Sequence, residues 1–176
     1  DDRFATSTAL LLGCTIIGER VWDISRGIDA LQYFTGAGAG LDLSRIVCLG
    51  NSGGGTATYY AAATDERISL AVVSCALCSY KDSIGAVYHC GCNYIPGALK
   101  WFDMGDLACL IAPRKLIVAA GEKDEIFPLQ GVKKVMKTVG AVYDCEGASQ
   151  NLRFIQTDKA HWFSHELIWP AIREML

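Results

Sequence analysis

Short apolar runs alternate with amphipathic or alanine-rich runs along the chain, and this alternation constrains the fold more than any other feature. Strands that are apolar along their whole length, separated by helices, are typical of a parallel sheet covered by helices. The predicted strands are residues 45–50, 68–75, 115–120 and 152–157, and the predicted helices are residues 21–34, 54–63, 99–111, 128–139 and 163–175. We therefore expect an α/β fold with a mostly parallel sheet of about four strands flanked by helices.

The composition is that of one globular domain. The chain has 176 residues, of which 51% are hydrophobic and 20% charged, so we expect a single domain over residues 1–176. Sixteen basic and nineteen acidic residues give a net charge of −3 without a long run of either sign, so neither nucleic acid nor a membrane is an expected partner. No apolar run approaches the ~18 residues of a membrane-spanning helix. The first residues do not resemble a signal peptide, and a leader removed before them would leave no trace.

Most of the eight cysteines lie inside apolar runs rather than in loops. Free cysteine packs as a small hydrophobic residue, so this pattern favours a reduced, cytoplasmic protein. The alternative is a structural zinc site on the C-x-x-C of residues 75–78 and the C-x-C of residues 90–92. We expect packing thiols and no metal, because Cys75 completes a predicted buried strand.

A G-x-S-x-G motif, Gly50-Asn51-Ser52-Gly53-Gly54, lies directly after the first predicted strand and directly before a helix. This is the position of the nucleophile elbow in hydrolases, where a sharp turn crowds the backbone and requires small residues around the serine. The helix that follows would point its amides at a developing oxyanion. The alternatives are a glycine-rich turn with a helix-capping serine, or a phosphate loop, although the Gly-Lys-Ser/Thr ending of such a loop is missing.

An acid is expected near the end of a later strand, because ligands bind at the carboxyl ends of parallel strands. Hydrolases with this elbow take first an acid and then a histidine from such ends. Asp124 lies just past the third predicted strand, and Glu122 and Glu125 are the alternatives beside it. We predict Asp124 as the acid.

The histidine that follows the acid in the chain is His161, just past the fourth predicted strand. His165 lies one helical turn further on and suits a helix surface, whereas His89 precedes the acid. In the predicted reaction, an acyl transfer, His161 takes the proton of Ser52 and Asp124 holds the imidazole tautomer. The backbone amide next to the serine, that of Gly53, would donate to the oxyanion, and no metal or organic cofactor is needed.

Several longer runs carry a family resemblance. They are GERVWD (18–23), DLSRI (42–46), GNSGG (50–54), DERI (65–68), HCGCNYIPG (89–97), IAPR (111–114), GEKDEIFP (121–128) and His161. Together they resemble the acetyl-xylan-esterase-like branch of the α/β-hydrolases, close to the dienelactone hydrolase group, over nearly the whole chain. The resemblance implies a serine esterase that acts on short acyl esters, often on sugars. The dienelactone group commonly uses a cysteine nucleophile, and Ser52 favours ester hydrolysis instead.

Two departures from the family pattern are visible. Lys159-Ala160 stand where such proteins usually have Gly-Gly, and only 51 residues precede Ser52. The resemblance therefore implies that N-terminal strands of the fold are missing, with the loop that gives the second oxyanion-hole amide. The strand at residues 45–50 would then have an uncovered edge, which favours a homo-oligomer. In the alternative, residues 1–17 fold back as a helix over this edge and leave a monomer.

The sequence thus predicts a carboxylic-ester hydrolase acting on a short acyl ester, with acetylated carbohydrate among the candidates. Its expected partners are a small-molecule or carbohydrate ester and further copies of the same chain. The alternative is a non-catalytic remnant of a hydrolase that serves as an oligomerising or binding domain.

Overall fold

The computed structural model describes residues 2–176, and four parallel strands form the centre of the molecule. They lie side by side in chain order, with helices in the connections between them. The strands are β1 (Ile46–Asn51), β2 (Ile68–Ser74), β3 (Lys115–Gly121) and β4 (Leu152–Thr157). The predicted α/β fold is confirmed, and each strand begins and ends within one residue of its predicted limits.

Six α-helices accompany the sheet within the described part of the chain. They are α1 (Asp2–Leu11), α2 (Ile16–Phe34), α3 (Gly53–Thr64), α4 (Met104–Cys109), α5 (Leu129–Cys145) and α6 (His165–Met175). The five predicted helices are therefore present, although α2 and α5 are longer than predicted and α4 is shorter. No single described helix is long and apolar enough to cross a membrane. Among the described residues, only the bent helix pair Arg3–Leu11 and Ile16–Ala39 together has the length and composition of a membrane span.

Side-chain caps explain two of the differences. Helix α2 starts before residue 21 because the Thr15 hydroxyl accepts a hydrogen bond from the Gly18 amide at 3.1 Å and caps the first turn. Helix α4 starts only at Met104 because Asp103 and Asp106 form a reciprocal capping box there. The first residues of the predicted helix form a separate 3₁₀ turn, Ala98–Lys100.

Different helices cover the two faces of the sheet. On β2, Leu70 and Val72 belong to the core that α6 completes through Ile168, whereas Ala71 and Val73 face the larger core on the opposite side. Helices α3 and α5 contact the strands on this larger side, and α2 packs against α3. The central strands are therefore buried on both faces, which explains their continuous apolar sequence.

Strand β1 forms one end of the sheet and pairs only with β2 among the described strands. Leu49 on this strand is 41% exposed. The N-terminal helix of the monomer alternative is present as α1, but it packs mainly against α2 and the 3₁₀ turn Gly91–Asn93. The outer side of β1 therefore remains without a partner strand in the described part of the chain.

Candidate active site

Ser52 lies in the sharp turn between β1 and α3, with φ 55° and ψ −124°. Serine rarely adopts a positive φ, and such a conformation costs ~1–3 kcal/mol, so the surrounding structure has to impose it. The amide of Ser52 donates to the carbonyl of Ser74 at the end of β2, and its carbonyl accepts from the amide of Thr56, both at 2.9 Å. These bonds hold the serine at the carboxyl edge of the sheet.

Two glycines make this turn possible, and only one of them, Gly50, is a glycine of the G-x-S-x-G motif. A Cβ on Gly50 would lie well inside van der Waals contact with the backbone of Gly54, and one on Gly55 would lie 2.7 Å from the Cβ of Ala76. A Cβ on Gly54 would meet nothing within 4 Å. Crowding therefore requires glycine at 50 and 55, whereas the motif glycine at 54 is sterically free.

Asp124 and His161 come together at the same edge of the sheet. Asp124 follows β3 and His161 follows β4, and the His161 Nδ1 atom lies 2.8 Å from Oδ2 of Asp124. The other carboxylate oxygen accepts hydrogen bonds from the amides of Ile126 and Phe127, at 2.9 and 3.0 Å. The Asp124 side chain is almost completely buried, and these three hydrogen-bond donors fix its orientation.

These donors also fix the charge of Asp124. Burial alone raises the pKa of a carboxyl group, but the hydrogen bonds from His161 and from the amides of Phe127 and Ile126 outweigh it and hold the pKa of Asp124 below its usual value. Asp124 is therefore a carboxylate at neutral pH and accepts a hydrogen bond from Nδ1–H of His161. This fixes the tautomer of the neutral imidazole and leaves Nε2 as the basic nitrogen.

The other candidate bases do not occupy this position. His165 is exposed at the start of α6 and lies 3.4 Å from Glu166. His89 is buried and makes a T-shaped contact with the Phe127 ring, and His161 stacks on the same ring with 5.9 Å between centroids. Burial lowers the pKa of His89 below its usual value, although a hydrogen bond with the backbone of Ile126 partly opposes this shift. The structure thus brings His161, and neither alternative histidine, into hydrogen-bond contact with Asp124.

Neither alternative acid is buried as Asp124 is. Glu122 is exposed and hydrogen-bonded to Gln156, and Glu125 is exposed. Within residues 2–176, no hydrogen bond joins the Ser52 hydroxyl to the imidazole of His161. Catalytic hydrogen bonds are often long before substrate binds, so this geometry is compatible with a serine and histidine that act together.

Two residues near the site were missed in the sequence. Cys75 directly follows β2, and its sulfur belongs to a group with the Asp124 carboxylate and the His161 ring in which the nearest atoms lie within 4.8 Å of one another. Cys75 could have been predicted in the same way as Asp124, because it also lies at the carboxyl end of a parallel strand. Arg20 on α2 places its Nη1 atom 3.3 Å from where a Cβ on Gly53 would lie. Its only sequence signal is membership of the run GERVWD.

The cysteines of the alternative zinc site do not converge. The sulfurs of Cys90 and Cys92 are 3.0 Å apart, and Arg20 Nη1 donates to Cys92 at 3.5 Å. In the described part of the chain, however, these sulfurs form no group of three or more candidate metal ligands with the thiols of Cys75 and Cys78. No disulfide is present among residues 2–176. Cys75 and Cys78 are buried, as packing thiols should be, and the absence of structural zinc stays a prediction.

The four parallel strands and their helices form an α/β fold, with Ser52, Asp124 and His161 at the ends of strands. No family model matches the chain. The chain is 28% identical over 172 residues to a protein of Bacillus subtilis (strain 168) that is provisionally named the hydrolase YtaP, covering 93% of this chain and 54% of that protein.

Solved structures of esterases share the fold. A Bacteroides fragilis protein provisionally named an acetyl xylan esterase superposes with a TM-score of 0.79 at 16% identity, over 99% of this chain and 52% of that one. A family 15 carbohydrate esterase, the glucuronoyl esterase of Caldicellulosiruptor kristjansonii, gives a TM-score of 0.73 at 20% identity, over 90% of this chain and 49% of that one. The predicted resemblance is thus confirmed at the level of the fold, and the chain spans about half the length of the proteins that it matches.

Proposed function

We propose that this chain carries the catalytic residues of a serine carboxylic-ester hydrolase. Ser52 is the nucleophile, His161 the general base and Asp124 the acid that orients it. The observation that carries the proposal is the hydrogen-bonded pair of Asp124 and His161, at the same sheet edge as the strained turn of Ser52. Strained backbone that the surrounding structure enforces is concentrated at functional sites. The hydrolase and esterase names of the similar proteins agree with this reaction class.

The reaction proceeds in two acyl transfers. Ser52 Oγ attacks the ester carbonyl carbon while Nε2 of His161 takes the hydroxyl proton, and the tetrahedral intermediate then expels the alcohol, to which His161 returns the proton. Water, deprotonated by the same nitrogen, attacks the acyl-serine, and the carboxylic acid leaves as His161 returns the proton to Ser52 Oγ. Asp124 remains a carboxylate throughout and stabilises the imidazolium form of His161.

The oxyanion of each intermediate is stabilised at the start of α3. The amide of Gly53, the first residue of that helix, has no carbonyl partner inside the helix and is free to donate. The positive end of the helix dipole lies at the same place. Arg20 adds a full positive charge beside Gly53 and takes part of the role that a second backbone amide has in longer relatives.

A carbohydrate ester with a short acyl group is the substrate class that we propose. The names of two solved neighbours, an acetyl xylan esterase and a glucuronoyl esterase, support esters of sugars. Trp162, directly after His161, is 65% exposed and offers an aromatic surface on which a sugar ring can stack. We also propose a reducing, cytoplasmic location, supported by the buried unpaired thiols of Cys75 and Cys78.

Labelling with a fluorophosphonate probe, followed by peptide mapping, tests the proposal without knowledge of the substrate. We expect the label on Ser52, its loss in Ser52→Ala, and parallel loss of p-nitrophenyl acetate hydrolysis. Ser149→Ala is the matched control, because this exposed serine precedes β4 at the opposite edge of the sheet. A folded protein that takes no label and hydrolyses no ester would instead be the non-catalytic binding remnant.

A further inference from the structure

Three side chains of the kinds that bind zinc converge at one point of the sheet edge. They are the thiol of Cys75, the carboxylate of Asp124 and the imidazole of His161, whose nearest ligand atoms all lie within 4.8 Å of one another. Cys75 and Asp124 are buried, and His161 is half-buried. Among residues 2–176, this is the one group of three or more candidate metal ligands.

Cys75 differs from the other buried thiols in how the backbone holds it. It has φ 50°, in the left-handed region that non-glycine residues rarely adopt. Its amide donates to the carbonyl of Ala119 at 2.9 Å, and its thiol lies 3.5 Å from the carbonyl of Trp162, in the loop that carries His161. The thiol therefore reaches across β3 to the catalytic loop, whereas a packing cysteine needs neither the strained backbone nor this direction.

We propose that Cys75, Asp124 and His161 form an inhibitory site for Zn²⁺ and similar thiophilic divalent cations. Zinc binds thiolate sulfur, imidazole nitrogen and carboxylate oxygen at ~2.0–2.3 Å in a tetrahedral arrangement. Ligand atoms within 4.8 Å of one another close to that geometry with small side-chain movements. The fourth position is filled by water from the open side of His161, as in sites with three protein ligands.

Binding is a simple exchange of a proton for the metal, with no change of oxidation state. The Cys75 thiol loses its proton to solvent as its sulfur bonds to the ion, while Asp124 and His161 each donate a lone pair. The ion takes the place of the hydrogen bond between Asp124 and Nδ1 of His161. The displaced proton moves to Nε2, which then has no lone pair with which to act as a base. This consequence for activity rests on the proposed esterase function, and the metal is an inhibitor rather than a resident cofactor.

The first experiment measures inhibition. Protein freed of metal by a chelator, which is then removed, is assayed for p-nitrophenyl acetate hydrolysis during a Zn²⁺ titration. We expect micromolar Zn²⁺ to reduce the wild-type rate at least tenfold and Mg²⁺ to have no effect, since Mg²⁺ prefers octahedral oxygen ligands. Each variant is compared with its own metal-free rate, and relative to that rate Cys75→Ala should lose most of the sensitivity. Cys109→Ala, which removes a half-buried thiol on α4, should stay as sensitive as wild type. Equal inhibition of Cys75→Ala would overturn the proposal.

The second experiment detects the bond itself and does not depend on activity. Cd²⁺ bound to a thiolate gives an ultraviolet charge-transfer band, and we expect Cys75→Ala to lose one equivalent of it relative to wild type. Ser52→Ala, which cannot hydrolyse esters, should retain that equivalent, so failure of the esterase proposal and failure of the metal site are distinguishable. Since alanine loses the contact of the Cys75 thiol with the Trp162 carbonyl and can impair folding, the nearly isosteric Cys75→Ser provides the same comparison with a weak oxygen ligand. A folded Cys75→Ser with an undiminished band would refute the site.

Discussion

The His161 Nδ1 atom lies 2.8 Å from Asp124 Oδ2, although the two residues are 37 positions apart in the chain. The parallel register that pairs Gly121 with Thr157 brings the ends of β3 and β4 to one level. Beyond the strands, the amide of Lys123 donates to the carbonyl of Lys159 at 3.0 Å and joins the two loops. Backbone hydrogen bonds therefore bring Asp124 and His161 to the same place.

Replacing Asp124 with asparagine tests the electrostatic role of this pair. Asp124→Asn removes the charge that fixes the His161 tautomer, and we expect ester hydrolysis at neutral pH to fall by roughly three to four orders of magnitude. Folding should survive with a loss of ~1–3 kcal/mol in the free energy of unfolding, because the side chain keeps its shape. Steady-state kinetics and urea denaturation measure the two effects. An active Asp124→Asn would place the acid elsewhere. Glu122→Gln, at the neighbouring alternative acid, is the matched comparison variant.

The same pair predicts a pH dependence of stability. The pKa of Asp124 is lower in the folded protein than the unfolded value of about 3.9. Its contribution to stability is therefore fully present above that unfolded value and is lost as the pH falls through the folded one. The difference in unfolding free energy between wild type and Asp124→Asn should accordingly be constant from pH 7 to 5 and shrink below about pH 4. A difference that grows on acidification would contradict this assignment.

The turn at Ser52 predicts unequal consequences for two motif glycines. Gly50→Ala places a methyl group against the backbone of Gly54, so we expect misfolding or a loss of several kcal/mol. Gly54→Ala meets no atom within 4 Å, and a helical alanine costs less entropy than glycine, so stability should be unchanged or up to ~1 kcal/mol higher. Thermal denaturation of both variants, with p-nitrophenyl acetate assays, separates them. Equal damage at both positions would mean that the turn is not built as described.

These glycines show how far the sequence alone could lead. The G-x-S-x-G motif located the turn, but the crowding of Gly55 depends on the approach of Ala76, which follows β2, and no local pattern encodes this contact. Asp124 and His161 were found because both follow apolar runs that ended where the strands end. Cys75 also ends such a run, yet its direction depends on a left-handed backbone that cysteine seldom adopts. Strand limits were thus readable from residue type, whereas side-chain direction at the edge was not.

The loop that carries His161 predicts a further pair of variants. A Cβ on Gly121 would lie well inside van der Waals contact with the carbonyl oxygens of Lys159 and Ala160, the residues that replace the usual Gly-Gly. Gly121→Ala should therefore displace this loop and lower kcat by at least tenfold with a smaller change in KM. Gly140→Ala on α5 is the matched control, since a Cβ there meets nothing within 4 Å. Normal kcat in Gly121→Ala would show that the loop adapts without moving His161.

The position of Arg20 predicts a charge effect on the chemical step. Arg20→Met removes the cation beside Gly53, and we expect kcat to fall by up to ~100-fold while KM changes little. Arg20→Lys should recover part of the loss. Arg26→Met is the control, because that guanidinium lies over the Trp22 ring and pairs with Asp29. A change in KM alone would assign Arg20 to substrate binding instead.

The exposed side of β1 predicts self-association of this chain. Its backbone has no partner strand among the described residues, and Leu49 adds an apolar side chain to the same strand. Leu11 and Leu12, at the end of α1, are 87% and 76% exposed and form a second apolar surface. An unpaired strand with apolar neighbours is a site for pairing with another chain, so we expect a homo-oligomer at micromolar concentration.

Light scattering measures this assembly directly. Leu49→Lys, which places a charge on the edge strand, should shift the protein towards the 19.0 kDa monomer, as should Leu11→Glu. Leu110→Lys is the matched control, because this leucine at the end of α4 is also exposed and lies outside β1 and α1, so its replacement should leave the assembly intact. A wild-type protein that stays monomeric and soluble across this range would show that the β1 edge needs no second copy to cover it.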